Sequence, residues 1–191
     1  MSRELVILKA EKACIAAVEA IFGKTLREVE SAPAEWSLDD LKRKVVLTPG
    51  IYVSFLGGAD PRPGGTLPAI NGSWAFTVLT AHAGDEQLRR EGDKREIGAY
   101  EIVQGLVAGL HGEVLDGFGS LIFQRVENLF TDAADRVGVS AYAVYFSLPM
   151  SFPPDFDLSS LADFKTFDGT VDLGAPGNRP PTPIREQLPQ S

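Results

Sequence analysis

A stripe of glycines runs down one segment that otherwise has the marks of a helix, and it sets the tightest limit on what the chain can build. In REIGAYEIVQGLVAGLHG (95–112), Tyr100, Val103, Leu106, Val107 and Leu110 recur at helical spacing, and Gly98, Gly105, Gly109 and Gly112 line the neighbouring face. An interior glycine costs a helix roughly 1 kcal/mol relative to alanine, so a row of them needs close backbone approach to repay it. The simplest partner is the first helix, expected over Arg3–Phe22 with Ser2 as its cap and Gly23 as its stop. There Ala10, Ala13, Ala17 and Ala20 form an arc of small residues. Beside it, Ile7, Cys14, Ile15, Val18, Ile21 and Phe22 form a broad apolar arc, with Leu8 at its edge and Lys9, Lys12 and Glu19 facing water. Cys14 therefore reads as a buried structural thiol. Asp93 and Glu96 give the glycine-striped helix an N-terminal signature, and Gly112 marks its end.

Between and beyond these helices the period changes from helical to alternating. Residues 24–48 read as a connector with one short helix at SLDDLKRK, capped by Ser37 with Asp40 three residues on. Thr48-Pro49-Gly50 punctuates the chain before a strand at Ile51–Leu56. Residues 57–72, GGADPRPGGTLPAING, are dense enough in glycine and proline to read as one long loop. A strand at Trp74–His82 follows, with Trp74, Phe76 and Val78 on one face and Thr77 and Leu79 on the other, so the two strands make an antiparallel pair. Two more strands are expected at Leu121–Phe130 and Val139–Leu148. In the second, Tyr142, Val144 and Phe146 alternate with Ala141, Ala143 and Tyr145. These elements form a domain over residues 1–150. Residues 151–191 are a Pro-rich extension, in which DFKTFDGTVDL (163–173) suits an edge strand or a hairpin about Asp168-Gly169. The extension reads either as a solvated tail or as an arm lying on a neighbouring subunit.

Chemistry-bearing patterns are sparse. A net charge of −8 argues against tight nucleic-acid binding, which needs clustered Lys and Arg. No apolar run approaches the roughly 20 residues of a membrane helix, and charges at the N-terminus break any signal-peptide core. One cysteine excludes an intramolecular disulfide framework, and the composition is that of a soluble, acidic protein of a reducing compartment. His82 and His111 belong to no metal-binding spacing, and Asp155 with Asp157 has no further ligand ladder, so neither a metal nor a cofactor is expected. Arg89, Arg90, Lys94 and Arg95 are interleaved with Glu91, Asp93 and Glu96, a mixed-charge segment suited to solvent or to ion pairs across an interface. Nothing assembles nucleophile, base and orienter, so the chain reads as a non-enzyme.

The order of elements resembles the tail terminator family of Mu-like and related long-tailed phages. Four segments carry the resemblance: the N-terminal helix with the short one at WSLDDLKRK; LTPGIYVSFLGG (47–58) running into the glycine-rich loop; WAFTVLTAH (74–82); and REIGAYEIVQGLVAGLHG (95–112). In the last, Arg95, Gly98, Tyr100, Leu110 and Gly112 match the family's rhythm. The resemblance covers roughly residues 1–150 and implies an α/β fold, a mostly antiparallel sheet with helices packed on one face. Together with the residue pattern this makes the expected class α/β (α+β): a four-stranded sheet with two main helices on one face, a long loop between the first two strands, and an extended C-terminal arm that lies outside the resemblance. The resemblance also implies a virion protein that forms a sixfold ring at the head-proximal end of the tail tube, stops tube polymerisation and offers a docking surface to the head–tail connector or stopper protein. DNA would pass through the lumen without specific binding, and the acidity would repel it. In that setting Asp60 and Arg62, near the tip of the 57–72 loop, are the first candidates for tube contact, and Arg89, Arg90 and Arg95 for ion pairs between subunits. Another head–tail joining protein, for instance a head-completion or stopper protein, would share size and acidity and differ in its partner. A small enzyme using His82 or His111, or a binding module, are the readings from other classes.

Overall fold

The computed structural model describes residues 5–33, 38–61, 67–82, 86–94, 96–129, 138–153, 167–170 and 183–186. The chain divides into two compact units, residues 1–154 and 155–191. The first unit is built on a five-stranded sheet with the order β1-β2-β3-β5-β4. Its strands are β1 (Glu28–Ser31), β2 (Gly50–Ala59), β3 (Ala69–Ala81), β4 (Ile122–Asn128) and β5 (Val139–Ser151). The helices are α1 (Val6–Phe22), α2 (Leu38–Lys44), α3 (Glu86–Glu91) and α4 (Ala99–Leu110). Fold class is α+β, as expected. In the second unit, β6 (Phe167–Thr170) pairs antiparallel with β7 (Pro183–Glu186).

Alternation along the strands decides the two faces. Ile51 and Val53 of β2, Trp74, Phe76 and Val78 of β3, and Val144, Phe146 and Leu148 of β5 turn to one face. There they bury against Ala10, Cys14 and Val18 of α1 and Ile102, Leu106 and Leu110 of α4. Aromatic rings interlock in this layer: Phe76 and Phe123 each meet Phe146 edge-on, at centroid distances of 5.2 and 5.9 Å. Tyr52, Leu79 and Ala141 form a smaller buried group on the opposite face. Cys14 is fully buried among core side chains, and burial, reinforced by Glu11, pushes its thiol up to about 12.

The sheet has one strand more than the pattern showed. Strand β1, with the sequence EVES, pairs parallel to β2. It lies in the expected connector, and its four residues include two glutamates, so neither length nor alternation of apolar side chains betrays it. The charged side chains are held instead by partners. Tyr52 donates to Glu28 Oε2 at 2.6 Å. Lys44 of α2 donates to the same oxygen at 3.1 Å and also pairs with Glu30. Its ammonium lies 5.0 Å from the centre of the Tyr52 ring. Thus α1 and α4 cover one face, and the last residue of α2 reaches the other.

The connection between β2 and β3 is shorter than a 57–72 loop. Gly57, Gly58 and Ala59 pair with Ser73, Gly72 and Asn71, beyond a bulge at Leu56. Here glycine makes the ladder possible: Gly57 takes φ +109, and a Cβ on Gly58 would stand 2.7 Å from the Asn71 carbonyl oxygen. The glycine stripe on α4 has several separate causes rather than the single one expected. Gly105 and Gly109 do meet α1, but at the ring of Phe22 and the side chain of Ile21, not at the alanine arc. Gly98 is pressed against the backbone of Arg90–Gly92, and Gly112 takes φ +86 past the helix end. Asp93 and Glu96 do not cap α4, whose N-cap is Gly98. They close a turn on each other instead, Glu96 N–H donating to Asp93 Oδ1 at 2.9 Å and Asp93 N–H to the Glu96 carbonyl at 2.8 Å. Asp168-Gly169 is likewise no turn, since it lies within β6 opposite Arg185 and Ile184. Ser2, Ser37, Asp155 and Asp157 lie outside the described residues.

Candidate functional site

At one end of the sheet, β2 and β3 extend as a ribbon that β5 flanks along its whole length, with Ala69 opposite Ser151. The ribbon is braced from beneath. Gly72 leaves room for Met150, Trp74 and Phe55, and the Phe152 N–H donates to the Pro68 carbonyl at 2.9 Å. Trp74 and Phe55 lie with ring centroids 5.1 Å apart. Rigid backing therefore carries Leu56, exposed at 41%, and Leu67, exposed at 52%, to the tip. Asp60 is exposed there, one residue past β2. Arg62, the second residue expected at this tip, lies outside the described residues.

Arg89 and Arg90 sit on α3 at the other end of the sheet. Asn71 and Thr80 mark the two ends along β3; nine residues at about 3.3 Å each separate them by roughly 30 Å. The Arg89 carbonyl accepts a hydrogen bond from Thr80 Oγ1 at 2.7 Å, which ties α3 to the end of β3. Arg90 Nη1 donates to Tyr100 Oη at 3.3 Å, with its guanidinium 5.9 Å from the centre of that ring. Tyr100 in turn meets Tyr142 edge-on at 5.6 Å. Hydrogen bonds from Tyr142 and Arg90 hold the Tyr100 phenol below its usual range. Nearby, His82 Nε2 stands 3.5 Å from Asp93 Oδ2 and 3.9 Å from Glu96 Oε2. Arg95 lies outside the described residues. The structure thus brings Arg89 and Arg90 together with a histidine and two carboxylates, and it sets Asp60 apart from them.

His111 follows α4 and is exposed; its Nδ1 accepts the Phe123 N–H at 3.2 Å, so it links the helix end to the start of β4. Among the described residues no group of three or more His, Cys, Asp and Glu side chains is placed to hold a metal ion. No described helix is long and apolar enough to cross a membrane.

Sequence reading missed a third surface, the flank of β4. This strand is exposed along nearly its whole length, including Ile122 and Val126 at 41% each, and the helical layer stops short of it, leaving Tyr100 45% exposed. Arg125 lies over the Tyr145 ring at 3.8 Å and 3.3 Å from Glu127. The signal in the sequence was the low apolar content of QRVEN (124–128), which marks a strand that lacks cover on either face.

The family model described as "Bacteriophage Mu, Gp37" matches residues 6–151. The "Mu-like prophage FluMu protein gp37" of Haemophilus influenzae is 30% identical over 165 residues, covering 86% of this chain and 80% of that protein. The "Probable tail terminator protein" of Escherichia phage Mu is 31% identical over 157 residues, covering 82% of this chain and 81% of that protein. A solved chain from the "Virion of native gene transfer agent (GTA) particle" aligns with a TM-score of 0.44 at 16% identity, covering 76% of this chain and 95% of that chain.

Proposed function

The chain belongs to the bacteriophage Mu Gp37 family, and from that premise we propose that it is a structural virion protein that ends the tail tube. Copies form a ring, sixfold by the family resemblance, on the head-proximal end of the tube. The ring stops polymerisation and gives the head–tail connector a surface to dock on. The observation that carries this reading is the phage Mu relative called a probable tail terminator protein, which aligns over 82% of this chain. The fold supports it physically. Such a ring must meet its own neighbour, the tube below and the connector above, and a braced sheet with contact residues about 30 Å apart offers separate surfaces for separate partners.

In this assembly Asp60 at the β2–β3 tip meets the tube, with Arg62 two residues on in sequence, and Arg89 and Arg90 on α3, together with Arg95, lie in subunit contacts. The part is architectural rather than catalytic, with neither metal nor cofactor. Copies each bearing a charge of −8 give an acidic lumen that repels passing DNA. The test is negative-stain imaging of the purified chain, alone and mixed with tail tubes, with mass determination alongside. Rings with a central pore, or density capping one end of each tube, are the expected result. A chain that ignores tube ends and binds portal complexes instead would overturn the reading in favour of a head-side joining protein.

A further inference from the structure

We infer that the outer edge of β4 is the seat for the β1 edge of a second copy of this chain, so that sheets join edge to edge around the assembly. The inference rests on the ring reading above and names the contact that would build it. Among the described residues, the sheet ends in two different strands with no further strand beside them, β1 on one side and β4 on the other. A strand edge is a row of backbone donors and acceptors, and a long exposed one invites another strand. If β4 met β4, the contact would be self-complementary and would close at a dimer. A ring needs one patch to meet a different one, and among the described strands β1 is the opposite edge of this same sheet.

Length, charge and packing agree with that pairing. A bulge at Gln124 interrupts β4, leaving Arg125–Asn128 as its unbroken stretch, and β1 has the matching four residues, Glu28–Ser31. On the face away from α1 and α4, β1 presents Glu28 and Glu30, which share one lysine, Lys44. On the same face β4 presents Arg125, whose side chain is 61% exposed. Opposite charges facing across strands attract, which favours this order of copies. On the helical face, Val126 of β4 is exposed, as is Tyr100 of α4. Val29 of β1 lies on the same face of its own sheet, half-buried against the core. Joining the edges places Val29 and Val126 in one layer and covers part of the apolar flank that the helices leave open.

Val126→Pro separates this contact from the fold. Leu129 N–H donates inward to the Ala141 carbonyl at 2.9 Å. Alternation therefore turns the Glu127 backbone inward as well and the Val126 N–H outward. A proline there removes an outward donor and obstructs an incoming strand while keeping the β4–β5 ladder. The expected result is loss of rings, alone and on tube ends, with thermal melting close to the parent chain. A second experiment does not depend on how that variant folds. Val126→Cys and Val29→Cys chains are mixed and treated with a short bis-maleimide, and covalent heterodimers are expected; Cys14 is buried and stays silent. Rings that persist in Val126→Pro, or assembled rings without the mixed cross-link, overturn this contact and leave the ring reading standing. Cross-linked dimers of Val126→Cys alone replace it with a self-complementary contact. A parent chain that forms no ring under either condition overturns the ring reading and this contact together.

Discussion

Replacing Gly98 with alanine drives a methyl group into backbone, and the damage can be worked out from the atoms it meets. The new Cβ would stand 2.5 Å from the Arg90 carbonyl oxygen and closer still to Glu91 C and Gly92 N. Comfortable carbon contacts lie at about 3.5–4.0 Å, so residues 90–92 must retreat by roughly 1 Å. That backbone is pinned. Gly92 N–H donates to the Leu88 carbonyl at 2.8 Å, Asp93 N–H to the Glu96 carbonyl at 2.8 Å, and Gly92 holds φ +75. Overpacking costs about 1–3 kcal/mol, and each disturbed hydrogen bond about 1 more. No relief of backbone strain offsets this, because Gly98 has an extended φ of −89. The expected loss is about 3 kcal/mol, or roughly 6–12 °C in Tm for a domain of this size.

Gly109→Ala is the control within the same stripe. Its Cβ would meet Ile21 Cδ1 at 2.7 Å, the far end of a side chain that is 37% exposed and can rotate away. Alanine also improves the helix by about 1 kcal/mol, so Tm should hold or rise by a few degrees. Gly105→Ala meets the ring tip of Phe22 at 2.9 Å and should fall between the two. Thermal melts of the full chain by far-ultraviolet circular dichroism give the three values side by side. A Gly98→Ala melt within about 2 °C of the parent, or a Gly109→Ala loss as large as that of Gly98→Ala, would refute the reasoning.

Alkaline pH should unfold the chain. Burial with the Glu11 charge pushes Cys14 up to about 12, and burial with the Glu28 hydrogen bond pushes Tyr52 well above its usual range. Both groups therefore lose protons first in the unfolded state, and stability falls as pH rises above about 8.5. Desolvation opposes the charge on Lys44, but its hydrogen bonds to Glu30 and Glu28 win and raise its pKa. Its contribution is complete below about pH 10.4 and is lost as pH climbs through the folded value, in the same direction. Cys14 alone accounts for about 4 kcal/mol by pH 12, so urea midpoints should slope downward from pH 9 to 12, and less steeply in Cys14→Ala. A flat parent profile would contradict the assignment. Gly58→Val should break the β2–β3 ladder at its tip by about 2–3 kcal/mol, because the new side chain meets the Asn71 carbonyl; unchanged urea midpoints would show that the ribbon yields freely. The double substitution Asp60→Ala, Arg62→Ala should melt like the parent and lose capping of tube ends in negative stain; full capping would remove the tip from the tube contact.

The buried half of the sheet was legible because each of its strands carries a period that only one placement satisfies. Trp74, Phe76 and Val78 had to face the helices once Thr77 and Leu79 alternated with them, and Tyr142, Val144 and Phe146 had to share that layer. Elements held by polar groups were not legible. Strand β1 is stabilised by Glu28 and Glu30 meeting a lysine on α2 and a tyrosine on β2, partners 14 to 24 residues away along the chain. Such pairings leave no periodic trace. The ribbon at Gly57–Ala59 failed for a related reason, since glycine density marks a loop in most sequences. Here the same residues are what allow two backbones to pair where any Cβ would collide.

For the candidate interface, composition picks out charged residues and leaves their placement in space unread. Asp60, Arg89 and Arg90 stand out in the sequence as charged residues on loops or helix ends, and nothing in their spacing says that β3 holds them at opposite ends of the sheet. About 30 Å of strand lies between them, roughly the full width of an ordinary interface, so the two ends suit separate contacts. Arg90 is moreover engaged with Tyr100, so a partner reaching it must displace or extend the Arg90–Tyr100–Tyr142 arrangement. The tip offers the reverse conditions: exposed Leu56 and Leu67, an acidic residue, and backbone braced by three strands. A rigid apolar tip suits a fixed partner that recurs at every copy, as the end of a tube does, and the softer ionic end suits a contact remade when copies join. Salt separates the two. Raising ionic strength from 50 mM to 1 M shortens the screening length to about 3 Å and should loosen contacts at the α3 end while leaving the tip's hold on a tube. Tubes that shed their caps in 1 M salt while free rings survive would reverse this assignment of the two ends.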